Sequence, residues 1–254
     1  MARHDGKRIL ITGAANGIGF ATAQRLAEEG ARLYLIDIAG DLLDERAREL
    51  DATTEVAART LSVTDETAVR EAVEDMAARF GGIDALLNSA GVVAVEPALE
   101  ASIDTFRKVV DVNLMGTWIV SQAVAAHMAK AGGGSIVNIS SVYGFQGALA
   151  RTAYCASKGA VIALTNSLAV EWGPLGIRVN SVVPTGTRTP MVQDLIDRGI
   201  YKLEAVRRRT PLGRLAEPDE VARACSFLIS DDASMTTGTH LRIDGGWLAN
   251  GFPT

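Results

Sequence analysis

The sequence predicts an α/β fold, a doubly wound parallel sheet of about seven strands with helices on both faces. Three observations lead there. Short apolar runs alternate with longer helical patterns from end to end. Most of these runs are continuously apolar rather than alternating, as strands covered on both faces must be. The first run empties into a glycine-rich turn that opens a helix.

The elements follow in order. Residues 9–11 read as the first strand, residues 20–29 as the first helix and residues 33–36 as the second strand. A weaker run over 55–61 supplies another strand. The next helix is the clearest, because Val69, Ala72, Val73, Met76, Ala77 and Phe80 recur at i, i+3, i+4 and i+7, one buried stripe. Strands over 85–87, 136–139, 179–183 and 241–243 alternate with long helices over 102–130 and 152–172. Regular alternation of this kind calls for right-handed crossovers. No Pro/Gly/Ser-rich linker, charge block or internal repeat divides the 254 residues. The expectation is one domain over 1–254, with a substrate loop or lid over about 187–210. The two long helices carry Ala, Val, Leu or Met on more than one face, which fits packing against a partner subunit or within a thick monomer core.

Composition bounds the function. Lys and Arg number 25 against 30 acids, a net charge of −5, which argues against nucleic-acid or anionic-membrane partners. Apolar residues make up 48%, too many for disorder. Cys155 and Cys225 lack metal-ligand spacing and fit a reducing compartment, and His4, His127 and His240 are scattered, so no metal site is expected. No run of 18 uninterrupted apolar residues and no signal-peptide core are present. The expected setting is cytoplasmic.

The turn after the first strand reads Thr12-Gly13-Ala14-Ala15-Asn16-Gly17-Ile18-Gly19. Glycines let a backbone approach a pyrophosphate closely, and the following helix offers free N–H groups and a positive dipole end. Gly13, Asn16, Gly17, Ile18 and Gly19 are therefore candidate dinucleotide contacts in a Rossmann-type arrangement. Asp37 closes the second strand, placed to accept hydrogen bonds from the adenosine ribose and to repel a 2′-phosphate. NAD is thereby favoured over NADP, and no Arg nearby is positioned to hold that phosphate. The plainer reading is that Asp37 caps the next helix.

Tyr154 and Lys158 stand four apart on a predicted helix and share one face. A neighbouring ammonium stabilises a phenolate and lowers a tyrosine pKa, which suits Tyr154 to proton transfer. Such a pair means little alone. Here Ser140 and Ser141 end a buried strand thirteen residues upstream, where strand ends line the crevice of an open α/β sheet. Asn88-Ser89-Ala90-Gly91 ends another strand in the same layer. Asn113, inside a largely apolar helix, needs a partner, which a core hydrogen bond or a proton relay would provide.

This ordered set, with the terminal Asp244-Gly245-Gly246, resembles the short-chain dehydrogenase/reductase family over essentially the whole chain. The resemblance implies Tyr154 as general acid/base and Ser141 as the residue orienting the substrate oxygen. It implies that Lys158 holds the nicotinamide ribose and that Asn113 keeps a water-linked proton route to Lys158. It also implies cofactor contacts at Ser62, Val63, Asn88, Ala90, Gly91, Pro184, Thr187 and Thr189. The chain departs from the family pattern where Ser62 stands for the usual Asp, Ser89 for a frequent Asn, and Thr185 and Thr187 for the usual Gly and Ile or Val.

The substrate side falls on residues 92–95, 142–146 and 189–209. Met191, Leu195, Ile200 and Tyr201 give the last segment an apolar face that would fold over the pocket. Arg207-Arg208-Arg209 reads as a solvated face or as an attractor of anions. With Tyr143 and Gln146 in an otherwise apolar lining, the expected substrate is a neutral secondary alcohol or ketone, cyclic or polyhydroxylated. The rival readings are a 3-oxoacyl-thioester reductase using NADPH and a non-catalytic dinucleotide sensor. The resemblance implies a homotetramer, with the two long helices in one interface and the segment from His240 onward near another.

Overall fold

The computed structural model describes residues 2–251. Seven strands form one parallel sheet in the order β3-β2-β1-β4-β5-β6-β7. They are β1 (Arg8–Thr12), β2 (Arg32–Asp37), β3 (Val56–Thr60), β4 (Ala85–Asn88), β5 (Gly134–Ile139), β6 (Ile177–Pro184) and β7 (His240–Ile243). The order reverses between β1 and β4, and a crevice opens beyond the carboxyl ends of strands at such a switch point. Register brings those ends level, with Thr12 beside both Ile36 and Asn88, and Asn88 beside Asn138.

Both faces are covered, which explains the continuous apolar runs. In β1, Ile9 and Ile11 face a layer made with α1 (Gly17–Glu28) and α2 (Gly40–Asp51), while Leu10 faces α3 (Glu66–Phe80). Between α3 and β4, Gly81 adopts φ +80° and stops the helix; its N–H bonds the Ala77 carbonyl. The α1 helix begins at Gly17, inside the glycine turn and earlier than the sequence pattern suggested.

The long apolar stretch over 102–130 is not one regular helix. It comprises α4 (Ile103–Val110), a π-helical turn over Asp111–Gly116, and α5 (Thr117–Ala131). The wide turn carries Asn113 inward, fully buried, where its side chain accepts from Val92 N (2.8 Å) and donates to Val92 O (3.0 Å). By length and composition the 29-residue stretch is apolar enough to cross a membrane; here α5 packs on α3, and α4 on α6 (Thr152–Trp172).

The predicted lid consists of α7 (Pro190–Asp197) and α8 (Leu203–Arg209). Leu195, Tyr201 and Val206 pack on Val142, Val183, Leu215 and Trp247, so the segment lies against the crevice end of the sheet. The α9 helix (Pro218–Ile229) covers α1 and starts with a reciprocal cap between Glu217 and Glu220.

At the opposite end of the sheet, fully buried His4 ties the N-terminus to α1 and α9. Its Nε2 lies 3.0 Å from Ser226 Oγ and 3.3 Å from Glu29 Oε2. Burial pulls its pKa down to about 4 despite the pull of Glu29 the other way.

Two predictions follow from this framework. The unfolded chain takes up the His4 proton near pH 6.5 and the folded chain only near 4, so stability should fall as pH drops through that window. The loss is about 3 kcal/mol, measured by denaturant unfolding, and His4→Gln should flatten that part of the curve. Asn113→Ala should cost ~2–4 kcal/mol in the same assay, because both backbone groups of Val92 lose their partner. An unchanged midpoint would contradict the bracing role.

Candidate active site

The glycine turn fits into the sheet only because side chains are missing at Gly13 and Gly19. Gly13 has φ +65°, and a Cβ there would stand 2.7 Å from Ala90 N. Thr12 Oγ1 accepts from Ser89 N (3.1 Å) and Ala90 N (3.2 Å), binding the loop after β4 to the end of β1. A Cβ at Gly19 would fall 2.0 Å from Gly13 O, so the first turn of α1 presses against the strand it follows. Gly19 thus shapes the cradle from behind, while Gly13, Asn16, Gly17 and Ile18 line its open side.

Asp37 braces the same turn. Its Oδ2 accepts from Ala15 N and its Oδ1 from Ala39 N, each at 3.0 Å. The carboxylate lines the cavity as well, and the N-cap of α2 is Ala39, not Asp37. Next along the wall come Ser62 and Val63, with Ser62 Oγ 2.8 Å from Thr64 Oγ1.

From there a cavity of about 1120 Å³ runs past Ala90 and Gly91 to Tyr154, Lys158 and Thr189. Lys158 is buried, and its Nζ donates to Ile139 O at 2.8 Å, 5.8 Å from the centre of the Tyr154 ring. Burial depresses the Lys158 pKa to about 8. Burial also pushes Tyr154 up to about 12, although a hydrogen bond from Ser141 pulls it down. The sequence led us to expect a lowered tyrosine pKa; desolvation outweighs the neighbouring groups.

Besides Gly19, five of the residues singled out from the sequence lie outside the cavity lining: Asn88, Asn113, Ser141, Pro184 and Thr187. Asn88 is buried and donates to Ser121 Oγ (2.8 Å) and Asn138 Oδ1 (2.9 Å), so it holds strands together beneath the floor. Asn113 Nδ2 also donates to Ser157 Oγ (3.0 Å), and Ser157 donates to Tyr154 O (2.9 Å). Asn113 and Lys158 are neighbours across Gly91, where a Cβ would come 3.3 Å from Asn113 Oδ1 and 3.6 Å from Lys158 Nζ. Pro184 ends β6, and Thr187, 3% exposed, turns its hydroxyl to Thr185 O at 3.1 Å. Ser141 is buried at the end of β5, where its Oγ accepts from Tyr143 N at 3.2 Å. Thr189 caps α7 and faces Gly17 across the cleft, its Cγ2 3.3 Å from where a Gly17 Cβ would be.

Other lining residues were not singled out from the sequence. Asp104, Lys108, Asp111 and Met115 form one face at the cavity mouth, at helical spacing that was legible but masked by the apolar run they interrupt. The Arg207–Arg209 run is divided: Arg207 pairs with Glu204 (2.9 Å), Arg208 is exposed, and Arg209 turns inward to Gln146 (3.0 Å).

The glycine cradle, the free helix start and the carboxylate together have the shape and polarity that a nicotinamide dinucleotide needs. A family model described as enoyl-(acyl carrier protein) reductase matches residues 13–248. D-threitol dehydrogenase of Mycolicibacterium smegmatis (strain ATCC 700084 / mc(2)155) is 41% identical over 248 residues, 96% of this chain and 94% of that protein. The 3-oxoacyl-[acyl-carrier-protein] reductase FabG of Thermotoga maritima (strain ATCC 43589 / DSM 3109 / JCM 10099 / NBRC 100826 / MSB8) is 40% identical over 96% of this chain and 98% of its own. The crystal structure of levodione reductase superposes with a TM-score of 0.93 at 36% identity, over 97% of this chain and 99% of the other. With matches spanning nearly its full length, the chain belongs to the short-chain dehydrogenase/reductase family of NAD(P)-linked oxidoreductases acting on alcohol groups.

Proposed function

We propose that the protein is an NAD-dependent oxidoreductase that interconverts a secondary alcohol, cyclic or polyhydroxylated, and its ketone. The observation that carries this reading is the single cavity joining the glycine cradle and Asp37 to Tyr154 and Lys158. A bound dinucleotide would supply the hydride acceptor and donor at nicotinamide C4. Gly13, Asn16, Gly17 and Ile18 would hold its phosphates and Asp37 its adenosine ribose. Ser62, Val63, Ala90, Gly91 and Thr189 would flank the rest, with Asn88, Gly19, Pro184 and Thr187 setting the wall from behind.

In the oxidative direction Tyr154 takes the hydroxyl proton while the adjoining carbon loses hydride; in reduction it returns the proton to the carbonyl oxygen. Ser141, the neighbour that draws the Tyr154 pKa down, would orient that oxygen. Lys158 remains a cation below about pH 8, and its charge favours the phenolate that the transfer requires. Asn113 holds the loop at Val92 and, through Ser157, the helical turn that carries Tyr154.

The likeness to the 3-oxoacyl reductase favours a second reading, NADPH-dependent reduction of a thioester-linked ketone. Asp37 opposes it, since a carboxylate there repels a 2′-phosphate. The complete set of Asn113, Ser141, Tyr154 and Lys158 opposes a non-catalytic sensor. We also assign a homotetramer. Exposed Ile103 and Val170 lie on the long helices, and β7 is an edge strand, so apolar and hydrogen-bonding surface remains on two sides.

Absorbance of the reduced nicotinamide, followed with NAD and NADP across secondary alcohols, polyols and hydroxyacyl thioesters, tests the function. NAD should be preferred by about tenfold or more, the worth of ~1.4 kcal/mol of repulsion at Asp37. A strong NADP preference with thioester turnover would instead establish the second reading. Tyr154→Phe should lower kcat by ~10²–10⁴-fold while NAD binding, read by fluorescence titration, stays unchanged. Light scattering should give four times the 26.8 kDa chain mass, and a single-chain particle at micromolar concentration would exclude the tetramer.

A further inference from the structure

The strand order β3-β2-β1-β4-β5 lays the cavity out in sequence. Lys158 reaches the end of β5 at Ile139 O, the glycine cradle follows β1, Asp37 ends β2, and Leu61 to Thr64 follow β3. A dinucleotide with its nicotinamide at Tyr154, its phosphates at the cradle and a ribose at Asp37 would carry its base on to the loop after β3. That loop is the last wall beyond Asp37.

This end of the cavity suits a flat apolar ring with one polar edge. Ile38, Leu61 and Val63 line it, with Val112 of the π-helical turn and Ile119 of α5. The turn closes on the loop because Gly116 has no side chain: a Cβ there would stand 2.5 Å from Val63 Cγ2. Arg107, Lys108 and Asp111 are exposed at the rim.

The polar groups of the loop itself are two hydroxyls that line the cavity. Ser62 Oγ lies 2.8 Å from Thr64 Oγ1, and Thr64 N donates to Ser62 Oγ at 3.3 Å. The neighbouring carboxylate, Asp65, is committed to Ala68 N at 3.0 Å as the cap of α3. A hydroxyl both donates and accepts, so the bond between the two can run either way. When Ser62 donates, Thr64 keeps a free hydrogen and Ser62 a free lone pair. When Thr64 donates, the free hydrogen is on Ser62 and the free lone pairs are on Thr64. The edge of adenine presents a 6-amino donor beside an N1 acceptor; the edge of hypoxanthine presents a 6-oxo acceptor beside an N1–H donor. Reversing the hydroxyl pair turns the complement of one edge into the complement of the other, with no heavy atom moving.

We infer that Ser62 and Thr64 are specificity-determining residues for the base of the dinucleotide, and that the site takes 6-amino and 6-oxo purines alike. This rests on the NAD reading above and extends it to nicotinamide hypoxanthine dinucleotide as a cofactor. A carboxylate in place of Ser62 would offer lone pairs only and would repel a 6-oxo group.

Calorimetric titration of the protein with NAD, nicotinamide hypoxanthine dinucleotide and etheno-NAD, whose bridged base edge has no N–H, tests this without turnover. The first two should bind within about threefold of each other, and etheno-NAD about tenfold more weakly. Thr64→Val keeps the shape and deletes one hydroxyl. It should weaken the first two by about threefold to tenfold and change etheno-NAD by less than about twofold, which also shows that the variant is folded. Ser62→Asp should weaken the hypoxanthine dinucleotide by about tenfold relative to NAD. A wild-type preference of about tenfold for NAD over the hypoxanthine dinucleotide would overturn the inference. So would etheno-NAD binding as tightly as NAD, or an equal response of all three ligands to Thr64→Val. Binding of none of the three to the wild-type protein would overturn the cofactor reading itself.

Discussion

The crevice depends on the contact between the turn after β1 and the loop after β4. No atom larger than hydrogen fits at Gly13, because Ala90 N already occupies the space beside it. That contact fixes the two strand ends on either side of the switch point at their minimum separation. Thr12 then fastens the loop through two backbone N–H groups, and Asp37 fastens the turn through Ala15. The glycines thus serve two needs at once. They let two backbone segments approach each other, and in the proposed cofactor site they would let phosphates approach the backbone. A side chain at Gly13 would damage the fold at the place where it would damage binding, so the two effects cannot be separated there.

Beneath that floor the layer is unexpectedly polar. Asn88, Ser121, Asn138 and Thr165 form a buried chain of hydrogen bonds crossing β4, β5, α5 and α6. Apolar side chains would fill the same volume but would tolerate slippage between helix and sheet. Directional hydrogen bonds in a buried network hold one register, here with Asn88 Oδ1 alone left without a donor. Since Lys158 and Tyr154 ride on α6, that register determines where the ammonium meets Ile139 O and where the phenol meets Ser141. Asn113 acts in the same way from the π-helical turn, reaching Val92 on one side and Ser157 on the other.

Most of the strands were legible because they are covered on both faces and so read as largely apolar runs, whereas β3 and β7 are only partly buried and β3 gave the weaker run. The ordered motifs of the site were legible because their spacing is tied to strand ends. The geometry of depth was not. Asn88 and Ala90 stand two residues apart in the sequence, yet one is under the floor and the other in the wall, because β4 ends between them. A π-helical turn leaves no periodic trace over so few residues, so the 102–130 stretch looked regular. The three arginines of 207–209 were indistinguishable as a string. Helical geometry alone sends Arg209 toward Trp247 and Arg207 toward Glu204.

The opposed shifts of Tyr154 and Lys158 share one cause. Burial disfavours charge on each, so the phenol holds its proton up to about 12 and the amine sheds its own at about 8. Neither charged form is comfortable alone, but an ammonium next to a phenolate relieves both penalties together. In the proposed reaction the charged pair would form only while a substrate proton is in transit, when each charge offsets the other's desolvation. A surface pair of the same residues would sit near ordinary values and would be screened by water, giving little bias in either direction. Depth is what couples them. On that proposal the residues holding α6 in register, Asn138 and Thr165 among them, would act on proton transfer without touching any reacting atom.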